Sequence, residues 1–281
     1  VGKNNPKYED NPQSELMSAY AYNVSLPMIK KTYTGINKLE PKLSLRLSPH
    51  DMKNNRELER RIDINNIFNS NRLSMNDSFE SGESITLGLN FKKEKIKTRN
   101  SISEIEEYID FKIASVFRFK EEKNMPTKST LNKKKSNIFG EFKFKPIENI
   151  SLGYNFSLTE DLNTFEYNTL IAKMKFNNFT TQFDYLEETG VIGQTNIIEN
   201  KTAYNFNDAN FISFNTRRNR KLDLTEYYNL IYEYKNDCLV AGIKYKKNYY
   251  NDADIKPTEE LFFSITIVPL ATFSPGKMTL K

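Results

Sequence analysis

The feature that most constrains this chain is an alternation of apolar and polar residues with a period of two. It is sustained over stretches longer than soluble strands use. In "GESITLGLNF", Ile85, Leu87, Leu89 and Phe91 fall on one side, and Ser84, Thr86, Gly88 and Asn90 on the other. "ISLGYNFSLT" opposes Ile150, Leu152, Tyr154, Phe156 and Leu158 to Ser151, Gly153, Asn155, Ser157 and Thr159. "PKLSLRLS" sets Leu43, Leu45 and Leu47 against Lys42, Ser44, Arg46 and Ser48. "ELFFSITIVP" sets Leu261, Phe263, Ile265 and Ile267 against Phe262, Ser264, Thr266 and Val268. Successive Cβ atoms of a strand point to opposite faces, so this pattern means strands with one apolar and one polar face. The polar faces also carry charge (Asp110, Lys112, Arg118; Glu141, Lys143, Lys145), which suits water better than a packed interior.

About thirteen strands are expected, over 15–29, 38–48, 80–93, 107–120, 136–145, 149–159, 164–175, 178–186, 196–206, 210–217, 223–235, 237–249 and 258–268. Soluble strands cluster near five or six residues, whereas a tilted membrane-spanning strand needs about 9 to 11. The connections alternate between tight ("KPIEN", "FNN", "NDAN", "KNDC") and long ("KEEKNMPTKSTLNKKK", "EETGVIGQTN", "NYYNDADIKPTE"), with His50 to Ser78 the longest. Outer-membrane barrels show this habit, with short turns toward the periplasm and long loops outside. "KEKIKTRNSISE" is long where a tight turn is due, which extends the flanking strands; "TRRNRKL" is short where a long loop is due. The expected fold is all-β: an antiparallel up-and-down transmembrane β-barrel, present in part. A last strand descending to the periplasm puts Val1 outside. Since complete bacterial barrels have even strand numbers, residues 1–281 are read as one portion of a larger barrel. A soluble β-sandwich binding module also alternates and remains the competing fold; a generic porin or uptake channel remains a competing function.

No apolar run reaches the ~18 residues of a transmembrane helix, and "VGKNNPKYEDNPQ" has no signal-peptide pattern. The expectation is therefore an internal or C-terminal piece, or a processed product. Mean hydropathy is −0.66 with 38% hydrophobic residues, thin for a two-sided core. The net charge of +5 is spread out, with concentrations at Lys133–Lys135 and at Arg217, Arg218, Arg220 and Lys221. These read as solvated loop charge, and no nucleic-acid motif accompanies them. His50 is the only histidine and lacks a nucleophile at recognisable spacing. Glu106–Glu107, Glu187–Glu188 and Glu259–Glu260 are adjacent, so on strands they face opposite ways. No cofactor, metal site or enzymatic chemistry is expected.

Three stretches carry a family resemblance: "LEPKLSLRLSPH", "RRIDINNIFNSNRLSMNDSFESGESITLGLNF", and "NLIYEYKNDCLVAGIKYKKNYYND" with the following "EELFFSITIVPLATFSPG". Together they resemble the C-terminal half of the LptD family of outer-membrane lipopolysaccharide-assembly proteins, of alphaproteobacterial type. The resemblance is general between about 95 and 205. It implies a 26-stranded barrel in the outer membrane of a Gram-negative bacterium, of which this chain is the second half. It also implies an LptE-type plug lipoprotein, and an LptA-type periplasmic bridge reached through an N-terminal domain outside this chain. The substrate would be lipopolysaccharide, inserted into the outer leaflet through a lateral gate. One gatepost would be the last strand, Glu260, Leu261, Phe262, Phe263, Ser264, Ile265, Thr266, Ile267 and Val268. Lumenal Lys42, Arg46, Lys112, Arg118, Lys143 and Lys244 become candidates for lipid A or core phosphates, against a plainer reading as hydrated interior charge. Cys238, the only cysteine, falls in a turn that the counting places in the periplasm. By the resemblance it would form a disulfide with the absent N-terminal domain; the plainer reading is an inert turn residue.

Overall fold

The computed structural model describes residues 16–75, 78–99, 102–249, 257–267, 271–273 and 278–279. Among these residues sixteen strands are formed: β1 Tyr20–Ser25, β2 Met28–Thr32, β3 Gly35–Ser48, β4 Gly82–Arg99, β5 Ile102–Arg118, β6 Ile138–Ile147, β7 Ile150–Leu158 and β8 Phe165–Phe176. Then follow β9 Phe179–Glu188, β10 Thr195–Asn205, β11 Asn210–Asn219, β12 Leu224–Lys235, β13 Leu239–Asn248, β14 Thr258–Ile267, β15 Ala271–Phe273 and β16 Met278–Thr279. Hydrogen-bonded neighbours follow chain order from β3 to β14, with β1 and β2 both on β3 and β15 and β16 both on β14. Every registered pair is antiparallel, as an up-and-down barrel requires.

One difference from the sequence reading has a simple cause. The expected first strand, 15–29, is broken into β1 and β2 at Leu26–Pro27, because proline has no N–H for the ladder. Residue 15 lies outside the described residues. As the over-long "KEKIKTRNSISE" connection implied, the β4 and β5 strands extend beyond 93 and begin before 107, which leaves a short connection.

Contacts divide the chain into two compact units. The first holds residues 1–144, 155–167 and 189–193; the second holds 145–154, 168–188 and 194–281.

In the first unit, the two strand faces are buried in the reverse of the soluble order. On the apolar side of β3 and β4, Leu45, Leu47 and Leu87 are 41%, 44% and 48% exposed, whereas Ser84 and Thr86 on the polar side are each 2% exposed. The polar side is covered by the two long connections, 49–81 and 119–137. Met52, Ile62, Ile64, Ile67, Leu73 and Met75 from the first, and Met125 and Leu131 from the second, form an apolar cluster with Ala114, Val116 and Phe139 of the strands. The loops thus carry the only apolar core cluster found among the described residues. A 3-10 turn at Thr127–Ser129 closes the second loop, its Thr130 at φ 59°.

In the second unit, β9 to β14 pair in strict register. Phe179, Phe183, Tyr204, Phe214, Leu230, Tyr232, Ile243, Phe263 and Ile265 share one face and are all more than a third exposed. The opposite face carries Gln182, Asp184, Glu199, Lys201, Asn215, Arg217 and Asn229. Ten-residue strands such as β9, β11, β13 and β14 extend about 34 Å at ~3.4 Å per residue. Tilted by about 45°, they cover roughly 24 Å, close to the ~25 Å apolar band of an outer-membrane barrel.

Candidate functional site

The polar side of the strands carries most of the charge in the first unit, and that charge is arranged by pairing. In the first unit, loop residue Glu80 lies between three guanidinium groups. Arg72 donates to both of its carboxylate oxygens, through Nε at 2.7 Å and through Nη2. Arg118 Nη1 donates at 2.6 Å, and Arg46 Nε stands 4.0 Å away. The side chains of Glu80, Arg72 and Arg118 are each 2% exposed. Burial pushes the Glu80 carboxyl up, but Arg72 first, then Arg46 and Arg118, hold it below the usual carboxylate value.

The same arginines stitch the loop to the sheet. Arg46 donates to the carbonyls of Asn69 and Ser70, Arg72 to Thr86 Oγ1 at 3.0 Å and Ser84 Oγ at 3.2 Å, and Arg118 to the Ser81 carbonyl. Glycine has a role at one point of this contact. A Cβ on Gly88 would stand 2.5 Å from Cζ of Phe68 and 3.2 Å from Cβ of Ala114, so the ring seats only on a bare backbone. Farther along the loops, Lys128 pairs with Glu59 at 2.6 Å and Arg61 donates to the Ile192 carbonyl at 2.9 Å. Asn137 bridges Ser157 at 2.9 Å and Glu166 at 2.6 Å.

The structure places each sequence candidate as follows. Arg46 and Arg118 are buried around Glu80, and Lys42 lies 3.3 Å from Glu40 and over the Phe68 ring. Lys112 and Lys143 share one carboxylate, Glu141, at 2.8 and 3.0 Å. Lys244 lies opposite Ile231 on one side and Phe262 on the other. The expected gatepost corresponds to β14, whose one edge pairs with β13 throughout. On its other edge, Ile265–Ile267 pair with β15 and Glu260–Leu261 with β16. Val268 lies outside the described residues. Cys238 is exposed and free, in the turn where Asn236 Oδ1 accepts from the Cys238 and Leu239 amides at 3.0 and 2.7 Å.

Sequence reasoning missed Glu80 and Arg72, which sit in an aperiodic loop. It also missed a basic groove in the second unit, lined among others by Lys145, Lys173, Lys175 and Lys201. Among the described residues no group of three or more His, Cys, Asp or Glu side chains is placed to hold a metal. No helix there is long and apolar enough to cross a membrane, which says nothing of strands.

Strands with a bare apolar face, a covered polar face and aromatic residues beside the short turns (Phe176, Phe179, Tyr204, Phe206) define an outer-membrane β-barrel class of protein. The chain belongs to the LptD family, described as LPS transport system D, whose profile matches residues 2–209. Two of the three stretches that carried the resemblance lie inside that match, as does the less distinctive region from 95 to 205; the third lies beyond it. Solved structures to which the chain is similar include mutant forms of the Rhodopseudomonas blastica porin. Two share 9% identity at a TM-score of 0.34, covering 89% and 92% of this chain and 89% and 96% of theirs. A third shares 8% at 0.31, covering 89% and 94%. No curated protein matches. As a member of this family the chain is an outer-membrane component of lipopolysaccharide transport and works with other members of the Lpt system.

Proposed function

We propose that residues 1–281 form the C-terminal portion of an LptD-type barrel that inserts lipopolysaccharide into the outer leaflet through a lateral gate. The observation that carries this reading is the inverted burial of the strands within a chain of the lipopolysaccharide-transport family. An apolar face left bare for acyl chains and a polar face for sugars match the two halves of an amphiphile. In this reading, β14 is one gatepost, and short pairing on its outer edge eases lateral exit. An LptE-type lipoprotein fills part of the lumen, and an LptA-type bridge delivers substrate through a periplasmic domain. The turns that include Asn236–Cys238 then face the periplasm, where Cys238 takes a disulfide partner from that domain.

Conditional depletion of the full-length protein tests the reading. Lipopolysaccharide should accumulate at the inner membrane while solute uptake persists. Lost solute uptake with normal surface lipopolysaccharide would make the protein a porin. A water-soluble monomer without heat-modifiable migration would make it a sandwich.

A further inference from the structure

Charge pairing decides where on the polar face an anion can bind. Around Glu80 and Glu141, the carboxylates already hold Arg46, Lys112, Arg118 and Lys143 at 2.6–4.0 Å. An arriving phosphate would have to displace a buried or shared ion pair there, which costs more than a new contact returns.

The second unit differs. Its polar face forms a groove of about 430 Å³, within the ~300–1,000 Å³ of small-molecule sites. Lys145, Lys173, Lys175 and Lys201 line it, and Glu148 is the one acidic residue among the lining residues. Lys201 is held by Glu199 at 3.2 Å and Asp184 at 3.7 Å. Lys173 and Lys175 are exposed and make no ion pair among the described residues. Around them stand neutral donors and acceptors, Thr180, Gln182, Ser213 and Asn215. Register brings several of these together: Lys201 lies opposite both Gln182 and Asn215, and Ala203 opposite both Thr180 and Ser213. The Lys175 amide also donates to the Asn149 carbonyl at 2.9 Å, which fixes Lys175 beside the β6–β7 turn.

We infer that this groove is a binding subsite for a phosphorylated sugar, with Lys173 and Lys175 taking the phosphate and the Thr, Gln, Ser and Asn side chains taking hydroxyls. Flexible ammonium groups suit a phosphate that must be passed on, because they bind as point charges without the bidentate grip of arginine. The inference rests on the proposed translocation of lipopolysaccharide, whose phosphorylated head is one source of such a group; a free sugar phosphate is the other.

The test uses the full-length protein in its assembled complex, with a photoreactive residue at Ser151 in the groove or, separately, at Ser264 on β14. In the parent protein, phosphorylated lipopolysaccharide should be captured at both positions. Lys173→Gln with Lys175→Gln should lower capture at Ser151 about tenfold, the scale of one lost charged hydrogen bond, and leave Ser264 unchanged. The matching double arginine variant should restore it, and unaltered heat-modifiable migration confirms the barrel. Dephosphorylated lipopolysaccharide should be captured weakly and equally by parent and variant. Unchanged capture at Ser151 in the glutamine variant overturns the inference while the translocation reading stands. Failure of the parent protein at both positions overturns the translocation reading itself. If millimolar glucose 6-phosphate abolishes capture at Ser151 while capture at Ser264 persists, the groove takes a soluble sugar phosphate, and the lipopolysaccharide source is wrong.

Discussion

Replacing Glu80 by Gln removes one negative charge from a site where three guanidinium groups converge. The side chains of Arg72 and Arg118 are 2% exposed and that of Arg46 is 6% exposed, so water cannot take over the lost role. Breaking a buried ion pair by deleting one partner costs about 3–5 kcal/mol. Spread over the docking equilibrium of the loops, that is roughly a 10²- to 10⁴-fold shift toward release. The apolar loop cluster cannot absorb the loss, because ordering each loop residue already opposes docking by about 1–2 kcal/mol. Limited proteolysis of the full-length protein in isolated outer membranes reads the equilibrium. Trypsin should cut at the lysines of 119–137 far faster in Glu80→Gln than in the parent, with barrel migration on gels unchanged. Arg118→Met should be milder, since it removes one of three mutually repelling cations and leaves the carboxylate two partners. Equal protection in Glu80→Gln and parent, or greater loss in Arg118→Met, would refute the account of Glu80 as the anchor. The pH dependence has a definite sign. The folded value of Glu80 lies below 4.5, so its contribution is complete above 4.5 and is lost as pH falls through the folded value. Protection should therefore be flat at neutral pH and collapse only in stronger acid.

Other outcomes follow from single contacts. Gly88→Ala should expose the loops to protease as Glu80→Gln does, and adding Phe68→Ala should restore protection, because the obstruction is the ring. Glu59→Gln should leave digestion unchanged, since its pair with Lys128 is open to solvent. Leu230→Arg, on the bare face of β12, should lower the heat-modification temperature by destabilising the barrel by ~2–4 kcal/mol, while Asn229→Arg on the opposite face should not. Gly35→Ala should be worse than Gly140→Ala in the same assay: a Cβ meets the Glu94 backbone at the first and only the Phe156 ring at the second. Cys238→Ser should abolish a mobility shift on non-reducing gels if the turn cysteine is bridged.

The strands and their two faces were legible residue by residue, because Cβ alternation is local and needs no partner to be read. The length of the strands, their order and the bare apolar side followed from it, and Leu45, Leu47, Leu87, Phe263 and Ile265 stand where the pattern put them. The break at Pro27 follows from proline chemistry, and the long β4–β5 hairpin from the over-long connection between its strands. What the one-dimensional pattern did not contain was the fate of each charge. Glu80 lies 34 residues from Arg46 and 38 from Arg118, in a loop without periodicity; only the folding of 49–81 over the polar face brings them together. That docking neutralises arginines that alternation alone presented as ligand contacts, whereas Lys173 and Lys175 in the second unit make no ion pair among the described residues. Periodicity is a property of neighbours along the chain and was settled by the sequence. Electrostatic pairing depends on distance in space, and only the tertiary structure could assign it.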